Sequence, residues 1–166
     1  MAGTTVYILL GSNIGDREKN LAAAREKLEY IPGFELGAAS SIYISDAVDM
    51  EGENPAVLNQ VVKGEYTYRP NELLAELERI ETALGRTGKG QKLPRTIDLD
   101  ILLFGDDIIE TETLSIPHRE LLNRPFAMIP LLQIDPDIIH PVTKETVASF
   151  LTDTDRTQVL LYRDHV

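Results

Sequence analysis

Cysteine is absent from all 166 residues. This excludes disulfides, thiolate zinc sites and cysteine nucleophiles, and leaves any metal to oxygen or imidazole ligands, a donor set that points toward magnesium. Long apolar runs are missing too: nothing approaches the roughly 18 consecutive hydrophobic residues of a bilayer span. Met1-Ala2-Gly3-Thr4-Thr5 leads into a short apolar strand without a basic leader, so a cytoplasmic protein with no membrane partner is expected. Positive charge is scarce, with 16 Lys and Arg against 27 Asp and Glu and a formal net charge of −11. That balance opposes general affinity for nucleic acid or anionic lipid. No repeat, linker or low-complexity segment interrupts the chain. With 43% hydrophobic residues, one core of ordinary size and a single domain over residues 1–166 are expected.

What is present falls into a clear order. Val6 to Leu10 is an apolar run closed by Gly11-Ser12-Asn13, which reads as a buried strand ending in a turn. Asp16-Arg17-Glu18 opens a helix whose stripe is Leu21, Ala24, Leu28 and Ile31, and Pro32-Gly33 closes it. Phe34 to Tyr43 reads as a second strand, weakened by Gly37-Ala38-Ala39, and Ile44 to Pro55 as a long acidic loop. Val57 to Tyr68 gives a third strand. Pro70 starts a second helix with Leu73, Leu77, Ile80 and Leu84 on one stripe and Gly85 as its stop. Thr96 to Phe104 is a fourth strand turned by Gly105-Asp106-Asp107; one helix is expected near Phe126 to Gln133 and another from about Lys144. The order strand, helix, strand, strand, helix, strand predicts an α+β ferredoxin-like sandwich, a mainly antiparallel sheet with helices packed on one face.

Two features carry chemistry. Strand alternation puts Asp98 and Asp100 on one face and Ile97, Leu99, Ile101 and Leu103 on the other. Paired carboxylates in an apolar strand bring no structural gain, whereas a bound magnesium-phosphate group removes their conflict. An edge strand using exposed acids against aggregation fits Asp-x-Asp equally well. Just upstream, from Arg79 to Arg95, five basic residues face the single acid Glu81. This reads either as a small-polyanion site on a mobile loop or as a solvated charge run. Arg95, three residues before Asp98, favours the former, since it can place a bidentate donor near metal-held phosphates. Neither a Walker sequence nor G-x-G-x-x-G is present, which implies a phosphoryl site of another kind.

Pro94-Arg95-Thr96-Ile97-Asp98-Leu99-Asp100-Ile101-Leu102-Leu103-Phe104-Gly105 closely resembles the signature of the 6-hydroxymethyl-7,8-dihydropterin pyrophosphokinases. Gly11-Ser12-Asn13-Ile14-Gly15-Asp16, Leu58-Asn59, Arg79-Ile80-Glu81 with Gly85-Arg86, Ile116-Pro117-His118, Asn123-Arg124-Pro125-Phe126 and Ile129-Pro130-Leu131 resemble further blocks of that family in order and spacing. The resemblance covers most of the first 140 residues. It implies transfer of pyrophosphate from ATP to a pterin alcohol in folate biosynthesis, with AMP and the pterin diphosphate as products. It also implies ATP as co-substrate and two Mg2+ ions held by Asp98 and Asp100. No obligate protein partner follows from it, and a monomer is expected.

By the same resemblance, Arg86 and Arg95 close over the triphosphate, and Glu78, Glu81, Lys89, His118 and Arg124 contact ATP. Gly11, Ser45, Asp46, Val48, Val57, Asn59 and Phe126 surround the pterin, with Phe126 stacking on the ring and the Asn59 amide reading its edge. Plainer roles are open for each: a helix cap for Arg86, an ordinary polar histidine for His118, a carboxylate partner for Arg124. Glu78 and Glu81 fit a solvated helix face, Phe126 core packing, and Asn59 a strand-end turn. The chain departs from the family at Tyr43-Ile44-Ser45-Asp46-Ala47, where a Tyr-Arg-Thr-x-Pro type segment is usual. It also has Val57 in place of an aromatic and Lys92-Leu93 in place of Trp-Gly. The nucleotide and metal residues are intact while the pterin lid is altered. This leaves open a relative acting on a modified pterin or another small alcohol, or a non-catalytic ferredoxin-like ligand-binding module.

Overall fold

The computed structural model describes residues 3–46, 56–85 and 96–163. Arg86, Lys89, Arg95 and Val48 lie outside the described residues, as do the basic loop and the Lys92-Leu93 departure.

Strand β1 (Thr4–Ser12) is followed by α1 (Arg17–Glu29), β2 (Phe34–Ala39), β3 (Ile42–Ser45), β4 (Val57–Tyr66), α2 (Pro70–Ala83) and β5 (Asp98–Phe104). Asp16 caps α1 by accepting from the Lys19 N–H at 3.2 Å. The turn after α1 uses Gly33 at φ +78°, where a Cβ would lie 2.5 Å from the Tyr68 ring, so only glycine fits. Pro70 opens α2 in its first turn, and the Arg69 N–H bonds to Glu72.

The sheet order is β5-β1-β4-β3, with β2 also on β4, and each of these pairings is antiparallel. This is the ferredoxin-like arrangement expected from the element order. The expected second strand is divided at Ser40-Ser41. There, side chains replace ladder bonds: Val61 N–H donates to Ser40 Oγ at 3.0 Å, and Gln60 Nε2 donates to the Ser40 carbonyl at 2.7 Å. The slip sets β3 so that Tyr43 faces Asn59 and Ser45 faces Val57.

Both faces of the sheet are buried. Val6, Ile8 and Leu10 of β1 and Leu99 and Ile101 of β5 pack with Leu21, Leu28, Leu73 and Leu77 of the two long helices. Tyr7, Leu9 and Val61 pack on the other side with Ala127, Met128 and Leu131 of α3 (Pro125–Ile134). Helices therefore cover two faces rather than the one expected. The apolar second-face residues, at alternate positions along β1, need that cover.

Two further expectations are corrected. Leu103 does not share a face with Leu99: Tyr7 pairs with Leu103 while Ile8 pairs with Ile101, so Leu102 is an extra residue. That bulge turns Leu103 toward α3 and Phe104 toward the long helices. The helix expected from about Lys144 is only a short 3-10 turn, Val147–Phe150, because Lys144 has φ 64° in a turn where its N–H bonds to the His140 carbonyl. The hairpin β6 (Ile109–Glu110) and β7 (Ser115–Ile116) precedes α3, and α4 (Asp153–Thr157) and β8 (Leu160–Arg163) end the described chain, with β8 joining the sheet edge at β3. Among the described residues no helix is long and apolar enough to cross a membrane.

Candidate active site

The sheet register assembles the site. Asp98 on β5 pairs with Gly11 on β1, Gly11 with Asn59 on β4, and Asn59 with Tyr43 on β3. Paired residues share a face, so these four form one row across four strands, on the side that α3 partly covers. Asp100 lies in the next row opposite Leu9. Asp98 and Asp100 are half-buried and share this face, while Leu99 between them is fully buried beneath the long helices. The expected alternation of the pair therefore holds.

Glu81 occupies a place that a solvated helix face does not explain. It is 2% exposed, and its Oε2 accepts from the Leu99 N–H at 2.8 Å. Leu99 lies on β5 at the end of the sheet, so its N–H is an edge donor that the ladder with β1 leaves over. A carboxylate from α2 satisfies it midway between the two aspartates. Glu78, one turn earlier, is exposed to solvent, so the two glutamates are not equivalent.

His118 stands close enough to Asp98 to feel its charge. Its backbone N–H bonds to the Leu102 carbonyl at 2.9 Å, and its Nδ1 accepts from the Glu120 N–H at 3.1 Å. Burial, helped by the Arg124 charge and opposed by Asp98, pushes its pKa down to about 4. The ring is thus neutral at pH 7, with its proton on Nε2 as a single donor. Arg124 precedes α3, with its guanidinium carbon 5.7 Å from the centre of the Phe126 ring.

Asn59 is 1% exposed, and its amide N–H groups face inward: Nδ2 donates to Ser45 Oγ at 2.9 Å and to the Val57 carbonyl at 3.3 Å. Its Oδ1 lies 3.9 Å from where a Gly11 Cβ would stand. Gly11 thus places no side chain against this carbonyl oxygen. Val57 borders the same spot, its Cγ1 3.6 Å from that position.

A cavity of about 840 Å3 opens beside this row, lined among others by Ser45, Asp46, Arg124 and Phe126. Glu120, Asn123 and Thr157 to Leu160 also line it. Sequence reasoning did not single these out, although Asn123 belongs to the Asn123-Arg124-Pro125-Phe126 block. Nothing in composition or spacing marked the C-terminal four. No cluster of three or more potential metal ligands occurs among the described residues. The oxygen donors of Asp98 and Asp100 fit magnesium, which typically takes one or two carboxylates and fills its remaining positions with water and substrate phosphate.

Comparison with known proteins bears directly on this arrangement. Residues 7–136 match the family model of 7,8-dihydro-6-hydroxymethylpterin-pyrophosphokinase (HPPK). The 2-amino-4-hydroxy-6-hydroxymethyldihydropteridine pyrophosphokinase of Aquifex aeolicus is 40% identical over 146 residues, covering 88% of this chain and 89% of that protein. The folic acid synthesis protein fol1 of Pneumocystis carinii is 42% identical over 164 residues, 96% of this chain; the chain spans only 22% of that longer protein. Among solved structures, Plasmodium falciparum HPPK-DHPS with pteroate superposes with a TM-score of 0.71 at 13% identity, over 90% of this chain and 44% of that one, a likeness of fold. With the signature strand, its register and these relatives together, the chain belongs to the 7,8-dihydro-6-hydroxymethylpterin-pyrophosphokinase family.

Proposed function

We propose that the row Asp98, Gly11 and Asn59, with Asp100, His118 and Arg124 beside it, is the reaction centre for this family's reaction: transfer of pyrophosphate from ATP to 6-hydroxymethyl-7,8-dihydropterin in folate biosynthesis. The observation that carries it is the pair of carboxylates on the open face of an otherwise apolar strand, with a neutral histidine and an arginine at hand.

Asp98 and Asp100 would hold magnesium, which when bound neutralises triphosphate charge and makes the β-phosphorus a better electrophile. His118 Nε2–H and Arg124 donate to phosphate oxygens, with His118 a neutral imidazole before the triphosphate binds. Arg86, Lys89 and Arg95 add positive charge against the developing negative charge on the transferred group. Glu81 braces β5 at Leu99 and so fixes the spacing of the two aspartates; this role differs from the direct nucleotide contact expected for it.

The pterin ring lies against Phe126 and over Gly11, where the Asn59 carbonyl accepts from a ring N–H or amino group. Its hydroxymethyl oxygen then faces Asp98, which takes the proton as the oxygen attacks the β-phosphorus and AMP leaves. Ser45, held by Asn59, and Val57 shape the rim. Mass spectrometry of the products from ATP, magnesium and the dihydropterin tests the reading. AMP and a pterin diphosphate in equal amounts are expected; ADP with a pterin monophosphate, or no pterin product, would overturn it.

A further inference from the structure

The cavity beside Phe126 has a wall supplied by residues beyond the 7–136 span of the family match. Thr157, Gln158, Val159 and Leu160, at the junction of α4 and β8, line it together with Ser45, Asp46, Arg124 and Phe126. This wall is fixed at several points. Leu160 pairs with Ile44 and Leu161 with Tyr43, Val159 is 6% exposed, and Thr152 and Asp155 cap α4 reciprocally. At the end of β8, Arg163 bonds to Glu18 at 2.6 Å.

The pairing of β8 with β3 begins at Leu160 opposite Ile44; just before it Gln158 ends α4 with helical backbone (φ −92°, ψ −10°), and it lines the cavity together with Asp46. Thr157 Oγ1 donates to the Thr154 carbonyl at 2.6 Å. No hydrogen bond within the described residues engages the Gln158 side-chain amide. An acceptor-only carboxylate and a mixed donor and acceptor amide thus line the same cavity as an aromatic ring and a guanidinium. A flat heterocycle bearing both N–H and C=O groups on its edge matches such a lining, and the cavity volume is within the usual range for small-molecule sites.

We infer that Gln158 is a specificity-determining contact for the pterin ring, and that the C-terminal segment works with Asp46 of the altered segment to bound its pocket. The inference rests on the functional reading above and narrows it to a residue beyond the 7–136 span of the family model. Gln158→Ala and the nearly isosteric Gln158→Leu test it, with Arg156→Ala, on the exposed side of α4, as control. Calorimetric binding of the dihydropterin should weaken about 2- to 12-fold in both Gln158 variants, the range of one neutral hydrogen bond. The KM for the pterin should rise in step, while the KM for ATP and the control variant stay within about twofold of the original chain. Unchanged pterin binding in both variants, or an equal loss of ATP affinity, would overturn the inference. An original chain that binds the pterin but releases no AMP would instead overturn the functional reading, and the binding comparison would still decide the role of Gln158.

Discussion

Replacing Glu81 separates two roles that its position in the sequence does not distinguish. If the carboxylate braces β5, Glu81→Ala strands the Leu99 N–H in a buried place and costs about 2–3 kcal/mol, the value of a hydrogen bond to a charged group. For a chain of this length that corresponds to a fall in Tm of about 5–10 °C. Glu81→Gln keeps a carbonyl oxygen at the same reach and should lose less than about half of this. Activity should follow the same order. With β5 unbraced, the Asp98 and Asp100 carboxylates lose their fixed spacing, so Glu81→Ala should need more magnesium for half-maximal AMP release while Glu81→Gln stays near the original midpoint. Urea unfolding and a magnesium titration of turnover read the two effects separately. A direct nucleotide contact predicts the opposite pattern: unchanged stability, a raised KM for ATP and little shift in the magnesium midpoint. That result would refute the bracing role.

Val57→Tyr should tighten pterin binding several-fold, since an aromatic pair typically adds about 0.5–1.5 kcal/mol beyond area burial, and should leave magnesium-ATP affinity unchanged; calorimetry on each ligand checks it, and weaker pterin binding would mean that the rim has repacked around valine. His140 gives a stability prediction. Its Nδ1 accepts from the Val142 and Thr143 N–H groups, and burial lowers its pKa below the usual 6.5. The unfolded chain therefore takes up the proton first as pH falls below about 6.5, so stability declines from there down to the folded pKa and is level above 6.5. Thermal melts at pH 7.5 and 5.0 should show a larger loss for the original chain than for His140→Asn, and equal losses would contradict the assignment.

The parts of the fold legible in the sequence were those governed by local rules. The stripe Leu21, Ala24, Leu28 and the stripe Leu73, Leu77, Ile80 each gave a helix, and two-residue alternation put Asp98 and Asp100 on one face. What escaped depended on neighbours distant in sequence. The bulge at Leu102 exists only in the pairing of β5 with β1, so nothing within β5 reveals that Leu103 turns to the α3 side. For Glu81 the sequence offers a nucleotide contact or a solvated helix face, and neither includes the Leu99 N–H, because three-residue spacing from Glu78 says nothing about the strand edge lying over it. The inward commitment of the Asn59 amide arises from Ser45 on another strand. Thr157 to Leu160 carried no motif at all, and reach the cavity only because β8 pairs with β3.

The central claim, that Asp98 and Asp100 are the metal-holding pair of a pyrophosphokinase, is tested most directly by single-turnover AMP formation in Asp98→Asn and Asp100→Asn over a range of magnesium concentrations. Loss of one ligand to a metal that stabilises the transferred group by several kcal/mol should slow turnover at least about a hundredfold at saturating magnesium. Thermal stability should change little, because each substitution also relieves carboxylate repulsion. Near-original turnover in either variant would contradict the account.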